Sequence, residues 1–219
     1  MEDKKIEKIE NFVINKMGKD SSGHDFYHAL RVKANVIKIY KKEKKGNEKI
    51  IIAASLLHDI PDPKLCNDID KAIDECKEIL KENSFNDEEI EHVIYIIKHL
   101  GFKGGCEKEG MKSIEGKIVQ DADRLDAIGA IGVARCFAFG GSHDRLLWDP
   151  SEKAKNEFKN EEEYRGVKSS SLTHFEEKLF KLKNLMQTET GKEVAIKRHQ
   201  YLIDFKKKFI EEWNGEDII

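Results

Sequence analysis

The sequence predicts an all-α fold, and three observations carry that reading. Only 3 of the 219 residues are proline, where average usage near 5% gives about eleven. Lys, Glu and Ile are abundant, which favours long helices. Apolar residues recur at helical spacing along most of the chain, with no convincing run of period-two alternation and no internal repeat. The apolar share of 39% is too high for a disordered chain, although 37% of the residues are charged. A chain of this length buries a core without staples and suits one domain.

The first helix follows from Ile6, Ile9, Phe12, Val13, Ile14 and Met17, with Gly18 as its stop. A second starts at Ser22, because Ser22-Gly23-His24-Asp25 places an acid three residues after a small hydroxyl. Val32, Val36, Ile39 and Tyr40 form its buried face, the lysine tract at 41–45 ends it, and Gly46-Asn47 make the turn. The third helix, after Asn47, runs through IIIAASLLHD; it is apolar nearly all round and is expected at the centre of the fold. Pro61 and Pro63 end it. A fourth helix is expected at about 69–80, a fifth at about 87–99 behind an Asn86 cap, then a loop at Gly101, Gly104 and Gly105. A sixth begins near Ile114 and carries Ile118, Val119, Ala122 and Leu125. The segment FGGSHDRLLWDP at 139–150 reads as a loop, and acidic, polar sequence follows through Glu163. Two last helices show clean stripes: Phe175, Leu179, Leu182, Leu185 and Met186, then Val194, Tyr201, Leu202, Phe205, Phe209 and Trp213. The expected organisation is a single domain over 1–219, with a core at about 20–130 and a C-terminal helical extension at about 150–215.

Composition excludes several classes. A net charge of −3 rules out a global basic field, so no stable nucleic-acid complex is expected, and the lysine tract reads as a solvated linker. Cys66, Cys76, Cys106 and Cys136 form no CxxC pair, which argues against a zinc knuckle or a thioredoxin-type site, and a chain of this size and charge does not suggest a disulfide framework. The N-terminus MEDKKIEKIE has no apolar signal core. The longest apolar stretch, 50–57, is far short of the ~20 residues needed to span a bilayer. The expectation is a soluble, reduced, cytoplasmic protein without a membrane partner; its oligomeric state is left open.

Chemistry is suggested where polar residues fall on apolar helices. His58-Asp59 closes the most apolar helix, and burying unpaired polar groups is costly; capping of the helix end is the plain alternative. His28, in HALRV, taken alone reads as a core histidine. Asp121, Asp123 and Asp126 crowd QDADRLDAIGA; one acid can cap and one can pair with Arg124, but three beside alanines exceed ordinary surface charge. Together they give H…HD…D on three helices. Two imidazoles and two carboxylates suit one divalent cation with open positions, manganese, iron, nickel, cobalt or magnesium rather than structural zinc.

With its flanking blocks GHDFYHALRV, AASLLHDI, IVQDADRLDAIGAIGVAR, FAFGG and THFEEKLFKL, the chain resembles the HD-domain superfamily of metal-dependent phosphohydrolases, and within it the small bacterial HD-domain phosphohydrolases and pyrophosphohydrolases. The resemblance implies an all-helical HD-domain bundle of five core helices with additional C-terminal helices. It implies His28, His58, Asp59 and Asp123 as metal ligands. Asp123 is taken over Asp121 because family members place the ligand before a basic residue, here Arg124; Asp121 stays as the rival, with a helix-start role as its alternative. His24 fits the GHD block and is read as near or facing the substrate, with Asp25 as the cap partner of Ser22.

Phosphate-ester hydrolysis is slow enough that enzymes reach accelerations of up to ~10²¹, while general acid–base help contributes only ~10²–10⁴. A metal must carry much of the load, polarising a phosphoryl oxygen and lowering the pKa of bound water. Cations for the phosphate oxygens are expected from Arg124, Lys64 and Arg31, each with a surface ion pair as the plain alternative. Asp62, at a spacing where related HD nucleotidases carry an acid, is the candidate base; a turn acid between two prolines is its alternative, and His24 and His99 are next in line. His99 is also a candidate contact to substrate phosphate or to a second metal. His174 matches a family block without a derivable chemistry, and Arg145 and Trp148 belong to a loop that would serve as a lid. The expected function is divalent-metal-dependent hydrolysis of a phosphate ester or anhydride in a nucleotide, as a nucleotidase or a nucleoside triphosphate pyrophosphohydrolase. The competing classes are a non-catalytic nucleotide-binding sensor and a di-iron oxygenase, which would draw further ligands from His92 and His99.

Overall fold

The computed structural model describes residues 2–18, 23, 25–63, 65–105 and 110–218, with no strand among them. The chain is all-helical and forms two compact units: Met1–Phe102 with Lys108–Asp123, and Lys103–Glu107 with Arg124–Ile219. The division falls at 123/124, inside a helix, and the helix at the N-terminus belongs to the first unit.

The first unit holds α1 (Glu2–Met17), α2 (Phe26–Glu43), α3 (Glu48–Leu57), α4 (Ile69–Glu82), α5 (Asp87–Lys98) and most of α6 (Ile114–Asp126). As its composition demands, α3 is central. Ile51, Ala53, Ala54, Leu56 and Leu57 have no solvent exposure, and the helix packs against α1, α2 and α5. Side-chain caps fix the helix starts. Asn86 and Glu89 form a full capping box on α5, and Asp68 and Asn47 cap α4 and α3. The start of α2 differs from expectation: Ser22 and His24 lie outside the described residues, and Asp25 is itself the N-cap, accepting the His28 backbone N–H at 2.8 Å. One carboxylate oxygen there replaces a missing intrahelical partner, which is worth about 1 kcal/mol.

The second unit contains α7 (Gly129–Ser142), α8 (Glu161–Gly166), a π-helical turn at Phe175–Leu179 leading through α9 (Phe180–Leu182) into a 3₁₀ turn at Lys183–Leu185, and α10 (Glu189–Trp213). Helix α7 was not expected, and the first four residues of the segment read as a 139–150 loop belong to it. Its four glycines oppose helix formation by ~1 kcal/mol each, so tertiary contact must outweigh propensity. The packing shows why glycine is needed: a Cβ on Gly132 would lie 2.3 Å from the Ala127 carbonyl oxygen, and one on Gly140 2.0 Å from Ser171 Oγ. We therefore expect Gly132→Ala to cost ~1–3 kcal/mol, because backbone cannot yield as a flexible side chain can. Gly141→Ala, in open space on the same helix, should leave the thermal midpoint unchanged or raise it; equal melting of both variants would refute this account.

An aromatic cluster fills the second unit. Phe137 packs on Phe175, Phe205 and Phe209, and Trp148 meets Phe209 and Trp213 edge-on. Trp148 is thus anchored in apolar packing, and Arg145 donates to the Val167 carbonyl at 3.2 Å while lying over the Phe139 ring. The carboxylate of Glu177 is buried and accepts from Ser169 Oγ at 2.6 Å. Burial opposes its ionisation, but the His174 imidazole, the Ser169 hydroxyl and the Lys155 N–H together hold its carboxyl below the usual range. His174 therefore has a structural partner, 3.7 Å away. Cys66, Cys76 and Cys136 are free thiols, and Cys106 lies outside the described residues. No single helix among the described residues is long and apolar enough to cross a membrane.

Candidate metal centre

Three helices of the first unit deliver four side chains to one point. The first turn of α2 presents His28, the C-terminal end of α3 presents His58 and then Asp59, and the last turns of α6 present Asp123. The two Nε2 atoms of His28 and His58 approach to 3.1 Å. From His28 Nε2, Asp59 Oδ2 lies at 3.3 Å and Asp123 Oδ1 at 3.4 Å. From His58 Nε2, Asp59 Oδ1 lies at 3.3 Å and Asp123 Oδ1 at 3.8 Å. Both imidazoles are buried, while the Asp59 and Asp123 side chains keep 15% and 29% exposure, so the set opens to solvent on its carboxylate side.

The fit to a divalent ion can be tested on these atoms. Donors ~2.1 Å from a common centre stand about 3.0 Å apart at right angles and about 3.4 Å apart at tetrahedral angles, and the observed separations run from 3.1 to 3.8 Å. Two carboxylates with two neutral imidazoles carry two negative charges in a largely buried place, which a dication balances. The tautomer also fits. His58 Nδ1 lies 2.8 Å from the Ser55 carbonyl oxygen; a carbonyl only accepts, so Nδ1 carries the proton and Nε2 keeps its lone pair for a cation. With the imidazoles protonated in place of an ion, burial still works against ionisation of Asp123, but the hydrogen bond from the His28 ring and the positive charge of both rings in that state outweigh it and hold its pKa at about 2. Asp123 is thus a carboxylate at any physiological pH.

Second contacts stiffen the set. Gln120, one turn before Asp123, donates its amide to the carbonyls of His99 and Leu100 at 3.2 and 3.0 Å and is itself buried. It ties α6 to the end of α5. Asn35 Nδ2 reaches the Ala122 carbonyl at 3.4 Å. Neither Gln120 nor the Ser55 carbonyl was singled out by the sequence. Gln120 carried a signal, a polar residue between Val119 and Asp121 on a buried stripe; a backbone carbonyl carries none.

The other candidate residues are distributed as follows. Asp121 is fully buried, and it is the Asp123 oxygen that approaches the two imidazoles. Asp126 pairs with Arg135 at 3.0 Å. Asp62 is half-buried in a tight turn directly after Asp59: its N–H donates to the Asp59 carbonyl at 3.0 Å, and its own carbonyl accepts from Leu65 and Cys66. Arg31 is half-buried on α2, three residues after His28. His99 closes α5, with Nδ1 donating to the Tyr95 carbonyl at 2.7 Å and its ring against that of Tyr95. The Arg124 guanidinium donates to the Leu185 carbonyl. Lys64 and His24 lie outside the described residues. His92 is 3.7 Å from Glu115, whose other oxygen accepts the Asn47 N–H at the start of α3. That end is about 16 Å along the helix from His58 at 1.5 Å per residue, so His92 is removed as a ligand for a di-iron centre.

Comparison with known proteins agrees with this reading of the fold. The HD domain family matches residues 25–128, a span that contains His28, His58, Asp59 and Asp123. The chain is 36% identical to the protein YpgQ of Bacillus subtilis (strain 168) over 98% of this chain and 96% of YpgQ. The crystal structure of YpgQ in complex with ADP covers 96% of this chain and 95% of that one, with a TM-score of 0.76 and 32% identity. An HD-superfamily hydrolase from Bacillus thuringiensis is 41% identical, with coverage of 98% and 99% and a TM-score of 0.75. A Lactobacillus plantarum protein reaches a TM-score of 0.87 at 32% identity, with coverage of 97% and 98%. The chain belongs to the HD-domain superfamily, whose domains bind divalent metals. It is close to small bacterial HD proteins such as YpgQ, and His28, His58 and Asp59 form its potential metal site.

Proposed function

We propose that this HD-domain protein is a divalent-metal-dependent phosphohydrolase that cleaves a phosphate ester or anhydride in a nucleotide, as a nucleotidase or a nucleoside triphosphate pyrophosphohydrolase. The observation that carries the proposal is the convergence of His28, His58, Asp59 and Asp123, whose donor atoms stand 3.1–3.8 Å apart with carboxylates open to solvent. The ADP complex of YpgQ supports a nucleotide as the ligand, and the hydrolase from Bacillus thuringiensis supports hydrolysis as the reaction class.

When bound, a divalent ion supplies positive charge to the phosphoryl oxygen and acidity to water. The chain supplies the rest. Ser55 holds the His58 ring in the ligating tautomer. Asp59 and Asp123 set the charge of the centre. Asp62, on a turn restrained by a proline on each side, accepts the proton of the attacking water at its carboxylate. Arg31 offers planar N–H donors to phosphate oxygens. His24, Lys64, His99 and Arg124 are retained as further substrate contacts; Arg124 must exchange its Leu185 carbonyl partner to serve as one.

A screen of nucleotides and simple phosphate esters against manganese, magnesium, nickel, cobalt and iron, with products identified as phosphate or pyrophosphate, tests the proposal. We expect turnover of at least one nucleotide, its loss on chelation and its return with manganese or a similar ion. Full turnover in excess chelator after dialysis would overturn metal dependence. Metal-dependent ADP binding without turnover of any substrate would instead mark a nucleotide sensor.

A further inference from the structure

We infer that Tyr27 is the platform on which the nucleobase of the substrate stacks, with Arg31 bridging from it to the metal centre. The inference rests on the nucleotide reading above and assigns a residue to the recognition of the base, which that reading leaves without one.

The starting observation is an exposed ring in a place that folding does not explain. Tyr27 is 65% exposed although α2 buries His28, Ala29 and Val32 directly after it. Large exposed apolar side chains occur elsewhere among the described residues, for example Leu146, Tyr201 and Trp213. Of these exposed side chains, Tyr27 alone adjoins a residue of the metal set in sequence. Its neighbour Phe26 meets it at a tilted angle, ring centroids 5.8 Å apart.

Helix geometry then orders the residues. Successive positions turn by about 100°, so Arg31 falls about 60° from His28 and about 40° from Tyr27, between the two. As the i+3 neighbour of one and the i+4 neighbour of the other, Arg31 has its Cβ roughly 5–6 Å from each. Around the axis of α2 the angular order is therefore metal ligand, guanidinium, aromatic ring, with Arg31 about one turn further along the helix than the other two. A nucleotide has the matching order: metal-bound phosphate, further phosphate oxygens, base. Recognition by stacking suits Tyr27 because every base has a π-face and the exposed ring offers a flat apolar surface with a polar tip. A protein partner needs a far larger area, ~800 Å² a side, which a single exposed ring does not provide.

The test is calorimetric binding of ADP and of inorganic pyrophosphate to the manganese-loaded full chain, for the parent and for Tyr27→Ala, Tyr27→Leu and Tyr27→Phe. Stacking of a base on an aromatic side chain predicts that the Ala and Leu variants lose roughly tenfold to hundredfold in ADP affinity, that Phe stays close to the parent, and that the loss is confined to ADP. Leu keeps bulk without a π-face, so it separates stacking from packing. Unchanged ADP affinity in the Ala and Leu variants overturns the assignment. An equal loss for pyrophosphate also overturns it, because Tyr27 would then act through the metal centre or the fold. If the parent binds no ADP the assignment falls as well, and metal-dependent turnover of a simple phosphate ester by the same preparation tells whether the hydrolase reading survives it.

Discussion

His58→Ala should leave the protein without its bound divalent ion and reduce turnover by more than ~10²-fold. The lower bound follows from comparison: residues that only orient a ligand typically cost 10–100-fold when removed, and His58 supplies a donor atom. Its loss has two further consequences. The Ser55 carbonyl loses the imidazole N–H that it accepts at 2.8 Å, and His28, Asp59 and Asp123 retain two carboxylates around one buried ring. The signature is therefore joint loss of metal and activity. A thermal scan gives an independent readout, since a ligand at 100 times its dissociation constant adds ~2.7 kcal/mol, which moves the midpoint of a chain of this size by several degrees. The parent should gain that shift on adding manganese and His58→Ala should not. A variant that kept stoichiometric metal by elemental analysis would remove His58 from the centre.

Asp62→Asn should do the opposite with the metal and the same with the rate. Its carboxylate lies in the turn that follows Asp59, where the Asp62 N–H donates to the Asp59 carbonyl and the Asp62 carbonyl accepts from Leu65 and Cys66. An isosteric amide leaves these intact, so folding and metal content should match the parent. Loss of a positioned base is worth ~10²–10⁴ in rate. The expected pattern is a fall of that size in kcat with a small change in KM and an unchanged melting curve. Turnover within a few-fold of the parent would make Asp62 a turn residue, and the base would then be sought at His24 or His99.

Much of the first unit was legible because its signals are local and consistent. Six helices follow from apolar periodicity, and the capping box at Asn86 is readable from Asn86 and Glu89 alone. The convergence of these four side chains was legible because polar residues on apolar helices are costly without a purpose, and the family resemblance ordered the candidates. The choice between Asp121 and Asp123 shows where local reasoning ends. Both sit on one helix two residues apart, and only the approach of α2 and α3 decides which oxygen meets the imidazoles. The start of α2 was misplaced for a related reason: Ser22 and Asp25 both have capping chemistry, and geometry selects Asp25. Helix α7 was missed because glycine usually opposes helix, whereas at Gly132 the Ala127 backbone leaves no room for a side chain and at Gly140 the Ser171 hydroxyl would have to shift to make room. The dependence of the His58 tautomer on a backbone carbonyl leaves no trace in residue identities at all.

One divalent ion held jointly by His28, His58, Asp59 and Asp123 should be visible by anomalous diffraction at the manganese edge from crystals grown with manganese. We expect one strong peak with His28 Nε2, His58 Nε2 and an oxygen from each of Asp59 and Asp123 all within ~2.0–2.5 Å. A peak bound by Asp121 with Asp123 turned away, or no peak between the two imidazoles at saturating manganese, would contradict it.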